Sequence, residues 1–154
     1  MDVLIIGGSR FVGPYLVDIL IENGCRVTVF NRGLLRQEYQ EAVHFIRGDR
    51  DKGVMPKDRF DVVIDMCAYR GFQTARALHD LDFGFFIHFS TAAVYRKSEV
   101  FPIAESFPLG EWPVWGNYNL GKVECEEVLL ASGVRFASLR PVYILGPKNY
   151  IPRE

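Results

Sequence analysis

The chain has 154 residues, nearly half of them apolar and about a quarter charged, which is enough for one domain with a real core. Its net charge of −1 provides no global field toward nucleic acid or an anionic membrane, so neither is expected as a partner. Three cysteines, Cys25, Cys67 and Cys125, are odd in number and lack metal-ligand spacing; they read as reduced thiols of a cytoplasmic protein that holds no metal.

The first apolar run, VLII at 3–6, begins too early and lacks the basic flank of a leader. It reads as a strand buried on both faces. Glycines 7 and 8 end it. Gly13-Pro14 then opens a helix, with proline near its first position, where a missing N–H costs nothing. Leu16, Ile19, Leu20 and Ile21 follow the helical period, and Asn23-Gly24 stops it. RVTVF at 26–30 is a second strand. A strand, a helix and a strand within 30 residues form the unit of a parallel sheet.

The pattern repeats. Residues 34–41 read as a weak helix, 43–46 as a strand and 62–66 as a buried strand. GFQTARALHDL is a helix, and FGFFIHFS is an apolar strand ending at Ser90. Residues 91–117 carry prolines and little periodicity, and loops of that length are usually functional or disordered. A helix follows from Tyr118 to about Ser132, with Gly133 as its stop. VRFASLRP carries a sixth strand. Right-handed crossovers predict an α/β doubly wound parallel sheet with helices on both faces, most simply in strand order 3-2-1-4-5-6. No apolar run approaches the roughly 20 residues that cross a bilayer.

Gly7, Gly8 and Gly13 lie between the first strand and the first helix. Glycine permits the tight turn and the close approach of backbone to a pyrophosphate, and the helix N-terminus offers free N–H groups to the anion. A strand-loop-helix context is what gives such a pattern weight as a dinucleotide site. Ser9, Arg10, Phe11 and Val12 complete the loop. At the end of the second strand an acid would hold the ribose 2′-OH of NAD. Here the sequence is FNRG, with Asn31 and then Arg32, nineteen residues beyond Gly13. Arginine suits a 2′-phosphate because its planar fork binds phosphate oxygens bidentately. Arg10 and Arg32 together favour NADP, with NAD as the alternative. Asp49, in RGDRD with Arg50, either accepts from an adenine amino group or stabilises its own loop.

YNLGK places Tyr118 and Lys122 four residues apart, hence on one face of a helix. An ammonium near a phenol favours the phenolate, and such a pair moves a proton while a hydride moves at the adjacent carbon. Ser90 and Thr91 stand at the end of the fifth strand, at the edge where open α/β sheets bind ligands. Either a substrate hydrogen bond or a strand-end cap accounts for Thr91. Trp112 and Trp115 either line a substrate mouth or, the favoured reading, anchor the long segment. His44, His79 and His88 show no metal-ligand spacing.

GGSRFVG, RGDRD, STAAVY, YNLGK and LRPVYILGP in this order resemble the short-chain dehydrogenase/reductase superfamily, and more closely its extended branch, the NAD-dependent epimerase/dehydratase family. The resemblance spans nearly the whole chain. It implies a Rossmann fold, a bound nicotinamide cofactor and hydride chemistry on a nucleotide sugar or related alcohol. It implies Tyr118 as the catalytic tyrosine, Thr91 as the catalytic hydroxyl and Lys122 as the lysine that also holds the nicotinamide ribose. It also implies cofactor contacts from Asp49, Arg50, Ala68, Pro141 and Val142. Arg10 stands where the extended branch has glycine, and GGSRFVG is similar to atypical members, including relatives of plastid stem-loop RNA-binding proteins.

The family carries a further, mostly helical substrate part. The resemblance therefore assigns 1–147 to the dinucleotide-binding domain and 148–154 to the start of the missing part. Chemistry belongs to the intact protein, and cofactor binding to this chain. Members of the family often form homodimers through two helices, and the Tyr118 helix is a candidate. Epimerase, dehydratase and reductase outcomes stay open. So does a non-catalytic dinucleotide-binding or RNA-associated role, because fold alone does not settle function.

Overall fold

The computed structural model describes residues 1–34 and 43–146. Among them a six-stranded parallel sheet runs in the order β3-β2-β1-β4-β5-β6. The strands are β1 (Asp2–Ile6), β2 (Arg26–Asn31), β3 (His44–Arg47), β4 (Arg59–Asp65), β5 (Asp82–Phe89) and β6 (Phe136–Leu139). The helices are α1 (Val12–Glu22), α2 (Gly71–Asp80) and α3 (Gly116–Ser132). This is the expected order. Crossovers on either side of β1 send β2 one way and β4 the other, which opens a crevice at the carboxyl ends of the strands.

Alternation along each strand sorts the core into two layers. Val3, Ile5, Val27, Val29 and Ile64 pack with Val17 of α1 on one face. Leu4, Ile6, Phe30, Val63 and Phe86 pack with Ala77 of α2 and Leu129 of α3 on the other. Both faces are covered, so the inner strands read as continuous apolar runs.

Boundaries differ from the sequence reading in particular places. α1 begins at Val12, so Pro14 is its third residue; its absent N–H is still one of the unpaired N–H groups of the first turn. β4 starts at Arg59 and ends at Asp65, earlier than the apolar run predicts, because pairing of Arg59 with Asp82 extends the strand into polar sequence. β3 begins at His44 and runs to Arg47. α3 starts two residues before Tyr118, behind the short 3₁₀ turn Pro113–Trp115. Gly133 closes it at φ 71°, the left-handed cap expected there. The long segment after β5 is not structureless. It carries a second 3₁₀ turn, Ala92–Val94, and a bridge between Tyr95 and Leu109. The weak helix expected at 34–41 and the tail from 148 lie outside the described residues, apart from Leu34.

Candidate functional site

The glycine loop leaves β1 with its backbone bonded on both sides. Gly7 N–H donates to Phe30 O at 2.9 Å, and Met66 N–H to Ile6 O at 3.0 Å. Gly7 and Gly8 adopt φ of 96° and 74°, a region costly for residues with a Cβ. A Cβ on Gly13 would lie 2.0 Å from the Gly8 carbonyl oxygen, so helix and loop touch at glycine only. Phe11, the residue before α1, has φ 52°, a strained value for a side-chain-bearing residue and of a kind that clusters at ligand clamps. Its ring lies near Gly146, where an added Cβ would be 3.7 Å away. The carboxyl segment thus returns to the loop. Ser9 and Val12 are half-buried in it, and Arg10 is exposed.

Asn31 holds this loop. Its Nδ2 donates to Gly7 O at 3.1 Å, and its Oδ1 accepts from Gly33 N–H at 2.8 Å. Arg32 is exposed at the end of β2, and no carboxylate follows it in the FNRG turn. Arg47 stands beside it, donating from Nε to Arg32 O at 3.2 Å. Sequence reasoning passed over Arg47. Its signal was its place at the end of the next parallel strand, where the sheet brings it level with Asn31.

Asp49 accepts from Asp51 N–H at 2.9 Å, a turn within its own loop. Arg50 departs from expectation. It turns inward rather than toward a cofactor, and its Nη1 meets Asp65 Oδ1 at 2.6 Å, while Nη2 donates to Gln73 O at 2.9 Å. Burial works against the guanidinium charge, but the Asp65 carboxylate offsets it and holds Arg50 protonated. Gly7 lies over Cys67, whose thiol burial and Asp65 push up to about 11. Ala68 is fully buried after β4.

Across the crevice, β5 and α3 position the remaining groups. Thr91 Oγ1 accepts from Ala93 N–H at 3.2 Å and caps the 3₁₀ turn. Its own O–H is not used by that bond. Ser90 is buried, and its hydroxyl is bonded to Glu126, so Thr91 is the hydroxyl that faces outward. Thr91 and Tyr118 line the same cleft of about 1600 Å³, together with Tyr69, Trp112, Trp115 and Pro141. Val142 lines it too and is largely exposed. The two tryptophans pack edge to face, with ring centroids 6.4 Å apart, and flank the cleft. Pro141 O accepts from Ala92 N–H at 2.8 Å.

Lys122 is 3% exposed. Its Nζ donates to Phe89 O at 2.5 Å and lies 5.1 Å from the centre of the Tyr69 ring. Burial lowers its pKa, against the pull of Cys125, Asp65 and Cys67. Asn119, beside Tyr118, is fully buried. It donates to Ala93 O at 2.5 Å and Gly110 O at 3.0 Å, and accepts from Trp112 N–H at 3.0 Å. One side chain thus fastens both ends of the long segment to α3. Nothing in local periodicity marked it. Thr91 and Tyr118 line the cleft, while Lys122 is buried behind it against Phe89 O and the Tyr69 ring; the glycine loop stands at the carboxyl end of β1.

A family model for the NAD-dependent epimerase/dehydratase family matches residues 3–83, from β1 to the start of β5. The chain belongs to this family. It is 33% identical, over 99% of its length, to the chloroplast stem-loop binding protein of 41 kDa b from Arabidopsis thaliana, and spans 44% of that protein. Among solved structures it is similar to a UDP-galactose 4-epimerase, with 22% identity and a TM-score of 0.81 over 99% of this chain and 59% of that one. It is also similar to the Bordetella bronchiseptica enzyme WbmH in complex with NAD+, with 20% identity and a TM-score of 0.78 over 98% and 58%. At that identity the likeness shows the fold. The chain spans well under two thirds of the length of these relatives. No helix among the described residues is long and apolar enough to cross a membrane.

Proposed function

We propose that this chain binds a nicotinamide dinucleotide and that the intact protein moves a hydride at an alcohol carbon of a nucleotide sugar. The observation that carries the reading is the shared wall of the cleft. Thr91 and Tyr118 both line it, and Lys122, one turn along α3, holds the carbonyl two residues before Thr91. Tyr118 gives or takes the proton of the reacting oxygen. Thr91 donates its free O–H to that oxygen. Lys122 supplies a fixed, buried ammonium one turn along the same helix.

The glycine loop fits a pyrophosphate. Its glycines leave no side chain between the backbone and an anion, and no side chain caps the α1 N-terminus. Arg32 and Arg47, with no acid in the turn, fit a 2′-phosphate, which supports NADP over NAD. A bound nicotinamide would supply the hydride donor or acceptor. Titration with NADPH and NADH, followed by nicotinamide fluorescence, tests the reading. Tighter binding of NADPH supports it, equal binding removes the preference, and no binding of either removes the site.

A second reading is favoured by one observation. The plant relative, 33% identical over nearly all of this chain, is named for binding stem-loops. Exposed Arg10, Arg32 and Arg47 would serve an RNA phosphate as well. An RNA affinity that falls steeply with salt, and that NADPH competes away, would support this role.

A further inference from the structure

We propose that Tyr69 is a positioning residue for the Tyr118–Lys122 pair: its ring roofs the Lys122 ammonium and abuts the Tyr118 ring, holding a cation under the cleft without a carboxylate partner. The proposal deepens the functional reading above and rests on it.

Lys122 has an unusual setting. No carboxylate lies within ion-pair distance of it among the described residues. One carbonyl, Phe89 O, accepts one of its three N–H groups. Burial, and after it Arg50, disfavours the charge; Cys125, Asp65 and Cys67 favour it without forming an ion pair, and the buried His88 also faces it. The remaining neighbour is an aromatic face, with Nζ 5.1 Å from the Tyr69 ring centroid. A ring quadrupole attracts an ammonium most strongly when water is excluded. The same ring meets Tyr118, with centroids 6.2 Å apart and planes at 49°. Tyr69 therefore touches both members of the pair.

The backbone of Tyr69 is fixed as a positioning group requires. Its N–H donates to Gln73 Oε1 at 2.7 Å, and the buried Gln73 donates in turn to Asp51 Oδ1 at 2.8 Å. Its carbonyl presses on α3 at Gly121, where a Cβ would lie 2.0 Å from the Tyr69 oxygen. Gly71 N–H donates to Glu124 Oε2 at 3.1 Å. The loop after β4 is thus locked to α3 on both sides of Lys122. Tyr69 also lines the cleft beside Tyr118, so its side chain bounds the space a substrate would enter.

The test is the titration of the Lys122 ammonium itself, followed by Nζ resonance in ¹⁵N-lysine-labelled protein and assigned with Lys122→Met. In Tyr69→Leu the midpoint falls by about one pH unit. In Tyr69→Phe, which keeps the ring, it stays at the wild-type value. An unmoved midpoint in Tyr69→Leu overturns the proposal, and so does an equal fall in Tyr69→Phe, which would assign the effect to the hydroxyl. If Tyr69→Leu loses its native amide spectrum, Tyr69→Trp decides. Its stronger π face raises the midpoint, and an unchanged or lower one overturns the proposal. NADPH binding is measured alongside. Failure to bind in the wild type removes the functional reading, whereas an unmoved midpoint with intact binding removes only the role of Tyr69.

Discussion

Arg140 and Glu126 form a two-pronged ion pair in the wall of the cleft, with Nη2 to Oε2 at 2.6 Å and Nε to Oε1 at 3.0 Å. The pair joins distant pieces of chain. Ser90 bonds Glu126 from the end of β5, and Arg140 Nη1 donates to Tyr95 Oη and to Glu105 O, each at 2.8 Å. Glu126 lies one helical turn beyond Lys122, and Ser90 immediately precedes Thr91. Arg140→Met leaves the buried carboxylate without its cation and costs about 3 kcal/mol of stability. Adding Glu126→Gln recovers part of that loss. Urea unfolding of the single and double variants checks this, and a single variant as stable as wild type would show that the pair contributes nothing.

His88 makes stability depend on pH. It is fully buried on β5, and neither ring nitrogen has a hydrogen-bond partner. Burial first, and then Lys122, push its pKa down to about 4, while Asp65 and Glu126 pull the other way. The unfolded chain titrates nearer 6.5 and binds the proton first. The contribution is therefore full above about pH 6.5 and is lost as pH falls toward 4, by about 3 kcal/mol in total. His88→Phe removes this part of the slope. Unfolding free energies at pH 7 and 4.5 for both proteins measure it, and parallel slopes would exclude His88 as the cause.

Gly13 and Gly24 are glycines for different reasons, and alanine separates them. At Gly13 a Cβ would collide with the Gly8 backbone; at Gly24 nothing lies within 4 Å and only φ 74° is at stake. Gly13→Ala forces helix and loop apart and weakens cofactor binding on the order of 100-fold, about 2.7 kcal/mol. Gly24→Ala costs about 1 kcal/mol of stability and leaves binding unchanged. Calorimetric cofactor titration beside thermal melts distinguishes the two.

The proposed preference for NADPH rests on Arg32 and Arg47 at the ends of β2 and β3. Arg32→Asp loses NADPH affinity by about tenfold to a hundredfold, and its NADH affinity rises or holds. Fluorescence titration with both cofactors reads the ratio. An equal loss for both would mean that Arg32 serves the fold or the common pyrophosphate.

Much of this was legible in the sequence because it is local. Helix and strand period, the glycine punctuation and the i, i+4 spacing of Tyr118 and Lys122 depend on neighbours within one turn or one strand. Right-handed crossovers then left few ways to order the strands, and the predicted 3-2-1-4-5-6 order is the one found. The boundary error at β4 falls where pairing with β5 extended the strand into sequence that does not favour it, and α3 begins early behind the Pro113–Trp115 turn.

What only the tertiary structure decided is which polar groups are spent on the fold. Arg50 and Arg32 look alike in sequence, yet one pairs with Asp65 inside the protein and the other stands exposed. Ser90 and Thr91 are adjacent hydroxyls just after β5, and the packing of α3 takes the first to Glu126 and leaves the second on the cleft. Asn119, Glu126, Arg140 and Tyr69 make their contacts across 7 to 53 positions of chain. Such contacts have no period. They arise only when separate elements pack and each buried polar atom must find a partner out of reach of water. The sequence by itself determined the frame; the packing of α2 and α3 on the sheet decided which side chains face the cleft.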